Sequence, residues 1–378
     1  MPVARQEMPH AVIAGEIYVV GGLLQDRTAT TLVQVYNPAS GKWRELAPMP
    51  FPMHHLGMAV VGEKLYVVGG YLDPTGRFSA SDRVFEYDPV TDVWAEKARK
   101  PSLSGAHTAV AFRDRIYVFG GARFGPQPSV DIYHPATDTW TTGAPMPTAR
   151  EHLSAALVDS LIYVVGGRVI GGGNTAAFEA YSPLSDSWRA LAALPTPRGG
   201  LMAASANGKV YVLGGEFPGV FPENEEYDPT TNTWRSVAPM SVPRHGAGTA
   251  VVGDTIFVIG GGPVAGFGTT DFNGGFVIPR DVQTDVAAES PPSTSTVSRY
   301  PNPASDVVRF DIVLSRGSQV NLQLVDVLGR VVETRSEGLL VAGSHSFLLP
   351  LAGLSAGPYF YRITIGSEVL SGSILIAR

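Results

Sequence analysis

Four arginines recur at one place in this chain. Aligned on six apolar runs that end in a glycine pair, the units place Arg5, Met53, Ser104, Arg150, Arg198 and Arg244 at equivalent positions. A guanidinium grips a carboxylate or sulfate through two parallel hydrogen bonds, so a ring of arginines suits an acidic ligand. Like charges held together repel, by about 4 kcal/mol for a 4 Å pair at an effective dielectric of 20, and either built-in carboxylates or an anionic ligand relieve that repulsion. The first arrangement makes the arginines braces between units and the second makes them a binding site.

Other chemistry is sparse. Glu7, Glu151 and Glu216 could act as bases. The eight histidines, His10, His54, His55, His107, His134, His152, His245 and His345, show no metal-ligand spacing, and several fall at the start of a recurring strand where a structural or rim role is expected. No metal and no cofactor is expected from these patterns. With 0 cysteines, disulfides, thiolate metal sites and cysteine nucleophiles are excluded. Gly171-Gly172-Gly173 follows a strand without opening a helix, which is the wrong context for a phosphate cradle. A net charge of −6 gives no basic stripe for nucleic acid, and no apolar run is long enough for a membrane-spanning helix.

The elements that carry these residues follow from the repeat. The runs IYVVGG, LYVVGG, IYVFGG, IYVVGG, VYVLGG and IFVIGG have glycine pairs beginning at Gly21, Gly69, Gly120, Gly166, Gly214 and Gly260, 46 to 51 residues apart. The first five are each followed by a Tyr and, seven residues later, a Trp: Tyr36 and Trp43, Tyr87 and Trp94, Tyr133 and Trp140, Tyr181 and Trp188, Tyr227 and Trp234. Each unit reads as four antiparallel strands, A to D, with the glycine pair ending strand B, the Tyr ending C and the Trp on D. Each Trp is expected to bury against the next unit, contributing roughly 1.5–3 kcal/mol.

The glycine pairs, the Tyr-Asp-Pro turns (Asp88-Pro89, Asp228-Pro229) and the spaced Trp resemble the kelch family over residues 1 to about 280. The resemblance implies a six-bladed β-propeller in an all-β chain. Kelch folds include copper radical oxidases that need a Cys–Tyr crosslink, and the absence of Cys excludes that chemistry. The sixth unit has no Tyr-x-Pro and no Trp, so it can supply strands A, B and at most C. Met1-Pro2 aligns with Met49-Pro50, Met146-Pro147 and Leu194-Pro195, which follow strand D elsewhere. The missing strand, and a signal peptide, are therefore expected upstream of Met1.

Residues 281–299 are rich in Ser, Thr and Pro and read as a flexible linker. From 300 to 378 short alternating strands suggest a small immunoglobulin-like β-sandwich. This segment resembles the type A C-terminal sorting domain of the type IX secretion system. The resemblance rests on Tyr300-Pro301-Asn302-Pro303, the Val325-Asp326-Val327-Leu328-Gly329-Arg330 turn, Ala342-Gly343-Ser344-His345 and the run from Leu354 to Arg362. It implies export, with that machinery as partner, to the medium or the outer-membrane surface.

In a four-stranded blade the D–A and B–C loops share one face, and there the loops vary: glycine pair to Tyr spans 15, 18, 13, 15 and 13 residues. Variable loops on a rigid scaffold commonly carry recognition. The expected site thus joins Arg5, Arg150, Arg198 and Arg244 to Tyr71, Glu151, Arg168 and Glu216, with Phe78, Arg123, Phe124 and Phe217 nearby. The expected function is a monomeric, exported binding protein for an acidic glycan or protein segment. The alternative is an enzyme resembling the six-bladed kelch sialic acid mutarotases.

Overall fold

The computed structural model describes residues 1–72, 78–278, 295–300, 304–341, 343–366 and 368–377. The chain divides into two units, Met1–Pro279 and Arg280–Arg378.

The first unit carries six antiparallel blade sheets in succession along the chain, and a small sheet of Met53–His54, Tyr71–Leu72 and Ser79–Ala80 in the loops of the second. In the first sheet strands A to D are His10–Ile13, Glu16–Val20, Val33–Asn37 and Lys42–Glu45. Four further sheets repeat that order, and the sixth has three strands, Gly248–Val252, Thr255–Ile259 and Asn273–Val277. Each A strand touches the A strands of both neighbouring sheets, the sixth meeting the first, so the blades close a ring around a central channel. Strand B lies between sheet faces, which is why it is apolar without alternation: Ile17, Tyr18, Val19 and Val20 are all buried.

The glycine pair stitches each blade to the next. Gly22 N–H donates to the Met53 carbonyl at 2.9 Å, and the equivalent bonds run round to Gly261 N–H on the Arg5 carbonyl at 2.8 Å. Both glycines sit at positive φ, and a Cβ on Gly22 would come within 2.7 Å of the Gln6 carbonyl oxygen. The Tyr–Trp spacing is a hairpin register: Tyr87 pairs directly with Trp94, and the Tyr87 hydroxyl donates to Asp92 at 2.5 Å across the turn. Asp92 in turn accepts the Ala47 N–H of the preceding blade at 2.9 Å.

The expected direction of the Trp contact is corrected. Trp94 Nε1 donates to the Ala47 carbonyl at 2.9 Å and Trp140 Nε1 to that of Ala98 at 2.8 Å, so each indole docks on the preceding blade. Trp94 and Trp140 are second in their D strands, and the acceptors Ala47 and Ala98 lie just past the end of the previous blade's D strand.

The second unit is two sheets. One comprises Thr296–Tyr300, Val307–Leu314 and Gly343–Pro350; the other comprises Ser318–Val325, Val331–Leu340, Gly357–Ile365 and Glu368–Ile376. Val308, Phe310, Ile312, Leu322, Leu324 and Ile363 from both sheets form one buried core. The first strand begins at Thr296, so strand structure takes in residues expected to be linker, whereas 281–294 lie outside the described residues. Pro301, Asn302, Pro303 and Ala342 also lie outside them. Among the described residues no helix is long and apolar enough to cross a membrane.

Candidate functional site at the channel mouth

The four arginines do not form a mouth. Arg5, Arg150 and Arg198 have no solvent exposure and Arg244 has 2%. Arg150 donates to Glu179 at 2.5 Å and to the Val164 carbonyl at 3.1 Å; Arg198 donates to Glu225 at 2.5 Å and to the Gly214 carbonyl at 2.6 Å. Arg5 reaches the Gly21 carbonyl at 2.9 Å and Gln34 Oε1 at 2.9 Å, and Arg244 reaches the Phe272 carbonyl at 2.9 Å. Burial lowers the proton affinity of all four, Arg5 and Arg244 to about 10, so they stay charged at neutral pH. In the third blade Lys100 takes the same place, bonding Asp131 at 3.0 Å and Ser104 at 3.0 Å. For Arg150, Arg198 and Lys100 a carboxylate is built in, on strand C of the same blade, whereas Arg5 meets Gln34 and carbonyls and Arg244 carbonyls alone. That pairing was available in the sequence, because Glu179 and Glu225 follow their arginines by 29 and 27 residues.

Two residues further along each D–A loop the chain turns to the axis. Glu7, His55, Ala106, His152, Gly200 and Gly246 all have φ between 50° and 62°. Their backbones form a closed ring: His55 N–H donates to the Glu7 carbonyl at 2.9 Å, Ala106 to His55 at 3.0 Å and His152 to Ala106 at 2.8 Å. Gly200 then donates to His152 at 2.9 Å, Gly246 to Gly200 at 2.9 Å and Glu7 to Gly246 at 2.5 Å. Three of the six ring positions therefore project an imidazole or carboxylate toward one point. His55 Nε2 is 3.1 Å from His152 Nε2 and 3.2 Å from Glu7 Oε2. Beyond the ring the channel is a cavity of about 240 Å³ between the A strands.

A second tier surrounds this centre. The position between each arginine site and ring residue pairs with the residue after the glycine pair, as in His54 with Tyr71, Glu151 with Arg168 and Gly199 with Glu216. Arg168 pairs with Glu216 and stands 4.0 Å from Glu151, whose carboxylate contacts His152 Nδ1. His245 lies between Glu7 Oε1, 3.4 Å from Nδ1, and Glu216 Oε2, 3.3 Å from Nε2. Tyr71 packs on His54 and His55 and donates to the Ala122 carbonyl at 3.2 Å. Of the residues expected at the site, the structure thus gathers Tyr71, Glu151, Arg168 and Glu216 and removes the four arginines. Sequence reading missed Glu7, His55, His152 and His245 as a group. Their signal was the same register: two places on, each of the three ring residues that is neither Ala nor Gly, Glu7, His55 and His152, is a metal- or proton-handling side chain, and His245 stands one place on.

The sequence families agree with this architecture. A model described as the KLHDC2/KLHL20/DRC7 kelch-repeats domain matches residues 54–261, and one described as the kelch motif matches 4–50. The chain belongs to the kelch-repeat family. A third, described as the secretion system C-terminal sorting domain, matches residues 298–377, which makes this a secreted or cell-surface kelch protein. It is 37% identical over 128 residues to Kelch-like protein terF of Aspergillus terreus, covering 32% of this chain and 28% of that one. It is 31% identical over 121 residues to Kelch-like protein 35 of Mus musculus, covering 32% and 20%. The chain thus spans less than a third of the length of these relatives. Among solved structures it is similar to YjhT, with a TM-score of 0.65 at 17% identity, covering 74% of this chain and 97% of that one.

The electrostatics of the kelch channel mouth follow from burial and proximity. Burial works against the Glu7 carboxylate, but the imidazoles of His55, His245 and His152 overcome it and hold Glu7 well below the usual carboxylate range. Burial pushes His55 well below the ordinary imidazole value, against the pull of Glu7. For His245 burial is outweighed by Glu7 and Glu216, and its proton is held more tightly than usual. The centre can therefore accept hydrogen bonds, move a proton or hold a cation. Around it stands an apolar rim with one side chain from each of five B–C loops: Phe78, Phe124, Ile170, Phe217 and Phe267, with Phe124 93% exposed. Arg27, Arg123 and Arg168 lie over Phe267, Phe124 and Phe217, 4.2, 4.8 and 4.7 Å from the ring centroids.

Proposed function

We propose that this secreted kelch protein is a surface binding module that takes a glycan or protein segment bearing acid groups over the channel mouth. The observation that carries the reading is the rim: exposed Arg27 and Arg123 are stacked on aromatic rings, with no carboxylate within ion-pair distance among the described residues. Stacking pre-orders a guanidinium while leaving its donor edge open to an anion. The acid-binding role expected of Arg5, Arg150, Arg198 and Arg244 passes to these two, since the former spend their donors inside the blades. The test is a glycan and peptide array probed with the full chain at two salt concentrations. Arg27→Ala with Arg123→Ala should weaken binding at least about tenfold, because charged hydrogen bonds contribute about 1.5–3 kcal/mol each. Retention of acidic ligands by the double variant would count against the reading.

A second reading, a mutarotase-like enzyme, draws on His245 standing between Glu7 and Glu216. That chain can take a proton at one carboxylate and return it at another. Incubation with the α-anomer of N-acetylneuraminate, followed by NMR, decides it: anomer exchange no faster than in buffer removes this reading.

A further inference from the structure

We propose that Glu7, His55 and His152 bind one divalent transition-metal ion of the zinc class at the centre of the channel mouth. Three donor atoms from three different blades meet there, and all lie within 4.8 Å of one another. Two of the separations, 3.1 Å for Nε2–Nε2 and 3.2 Å for Nε2–Oε2, are those of neighbouring ligands on one ion. Bonds of about 2.0–2.1 Å in a tetrahedron put adjacent donors about 3.3 Å apart.

Each donor is held by a second partner that leaves the converging atom available. Glu151 faces His152 Nδ1, which fixes the proton on that nitrogen and leaves Nε2 as a lone pair. His54 contacts His55 Nδ1, so His55 also presents Nε2. His245 engages Glu7 Oε1 and leaves Oε2 toward His55. A carboxylate or ring behind each ligand is the outer shell that metal-binding histidines and carboxylates ordinarily have.

The ring takes left-handed φ at every position, Gly200, Gly246 and Ala106 included, so the backbone fixes where Glu7, His55 and His152 stand. Two imidazoles and one carboxylate favour a borderline ion over a hard one. Three protein ligands facing a cavity leave a coordination position open, as in zinc sites that bind a water or a ligand atom. His245 belongs to the second tier: its Nδ1 stands 3.4 Å from Glu7 Oε1, and its Nε2 3.3 Å from Glu216 Oε2 and 3.1 Å from the Val264 carbonyl. Resting on the acid-ligand reading above, the ion would also supply the positive centre that the buried arginines do not.

The test uses the full chain stripped with chelator. Titration with zinc chloride in a calorimeter should show one saturable equivalent, and cobalt(II) should give the visible absorption of a low-coordinate nitrogen and oxygen site. His55→Gly with His152→Gly, a change to the residue the fifth and sixth blades already use, should leave the circular dichroism intact and lower affinity at least about a hundredfold. Glu151→Gln should lower it about ten- to a hundredfold by freeing the His152 ring, and His345→Ala in the second unit should leave it unchanged. Absence of saturable zinc uptake by the native chain, or uptake unchanged in the double variant, would overturn the proposal. Neither outcome depends on the array, so loss of the ligand reading leaves this result standing.

Discussion

Arg150 and His152 are two residues apart in one loop, yet they belong to different regions of the molecule. Arg150 points into its own blade, is fully buried, and donates to Glu179 and to the Thr148 and Val164 carbonyls. His152 sits at φ 50° on the ring around the channel and meets His55 from another blade. The first kind of contact is made within a blade or across one joint, and it recurs with changes of partner: Gln34 for Arg5, Asp131 for Lys100, Glu179 and Glu225 for the next two. The second kind needs residues from blades one, two and four at once. Charge in the blades is consumed by the fold, whereas charge at the axis is left facing a cavity. The lesson is that position in a propeller loop, at a resolution of two residues, separates structural polar groups from those open to ligands.

The comparison breaks most visibly in the blades. Arg198→Ala should destabilise the propeller by about 3–5 kcal/mol, because it leaves Glu225 buried without its partner; urea unfolding measures this. A loss below about 1 kcal/mol would mean the braces are dispensable.

Acid should act on the channel-side histidines. Burial lowers His10 and His107 to about 3, with nearby Arg5 and Arg244 adding to the effect for His10 and Lys100 for His107. The unfolded chain binds a proton at each below about pH 6.5, and the folded chain does so only near 3. Stability therefore falls as pH drops through that window, by about 2 kcal/mol per histidine between pH 7 and 5. The check is urea unfolding at the two pH values, where His107→Asn should remove part of the slope.

Trp140→Ala should cost about 2 kcal/mol, less than a fully buried indole, through lost packing on the preceding blade and the lost bond to Ala98. At the ring the sign reverses. His152→Gly without metal should raise stability by about 1 kcal/mol by relieving the left-handed backbone, seen as a higher midpoint in urea. Smallest of all, Arg27→Ala with Arg123→Ala should shift stability by less than about 0.5 kcal/mol while changing ligand binding. Coupled losses of stability and binding in that variant would erase the distinction between brace and rim.

Much of this was legible in the chain of residues. The glycine pairs, the Tyr and Trp seven apart and the unbroken apolar B strands dictate local geometry: a positive-φ turn, a hairpin register and a strand buried on both faces. Each depends on neighbours within one blade or the next, so repetition displays it. Periodicity also placed Tyr71, Glu151, Arg168 and Glu216 on one face, and the structure gathers them. What the sequence left open was where a side chain points once the ring closes. The fate of Arg5, Arg150, Arg198 and Arg244 turned on whether the guanidinium lies inside the blade or at the mouth, and the packed ring buries all four against backbone carbonyls, with a carboxylate for Arg150 and Arg198. The meeting of Glu7, His55 and His152 has no signature in linear spacing, because residues 48 and 97 apart become neighbours only when blades one, two and four surround a common axis. Closure of the ring sets that distance, and closure is a property of all six blades together.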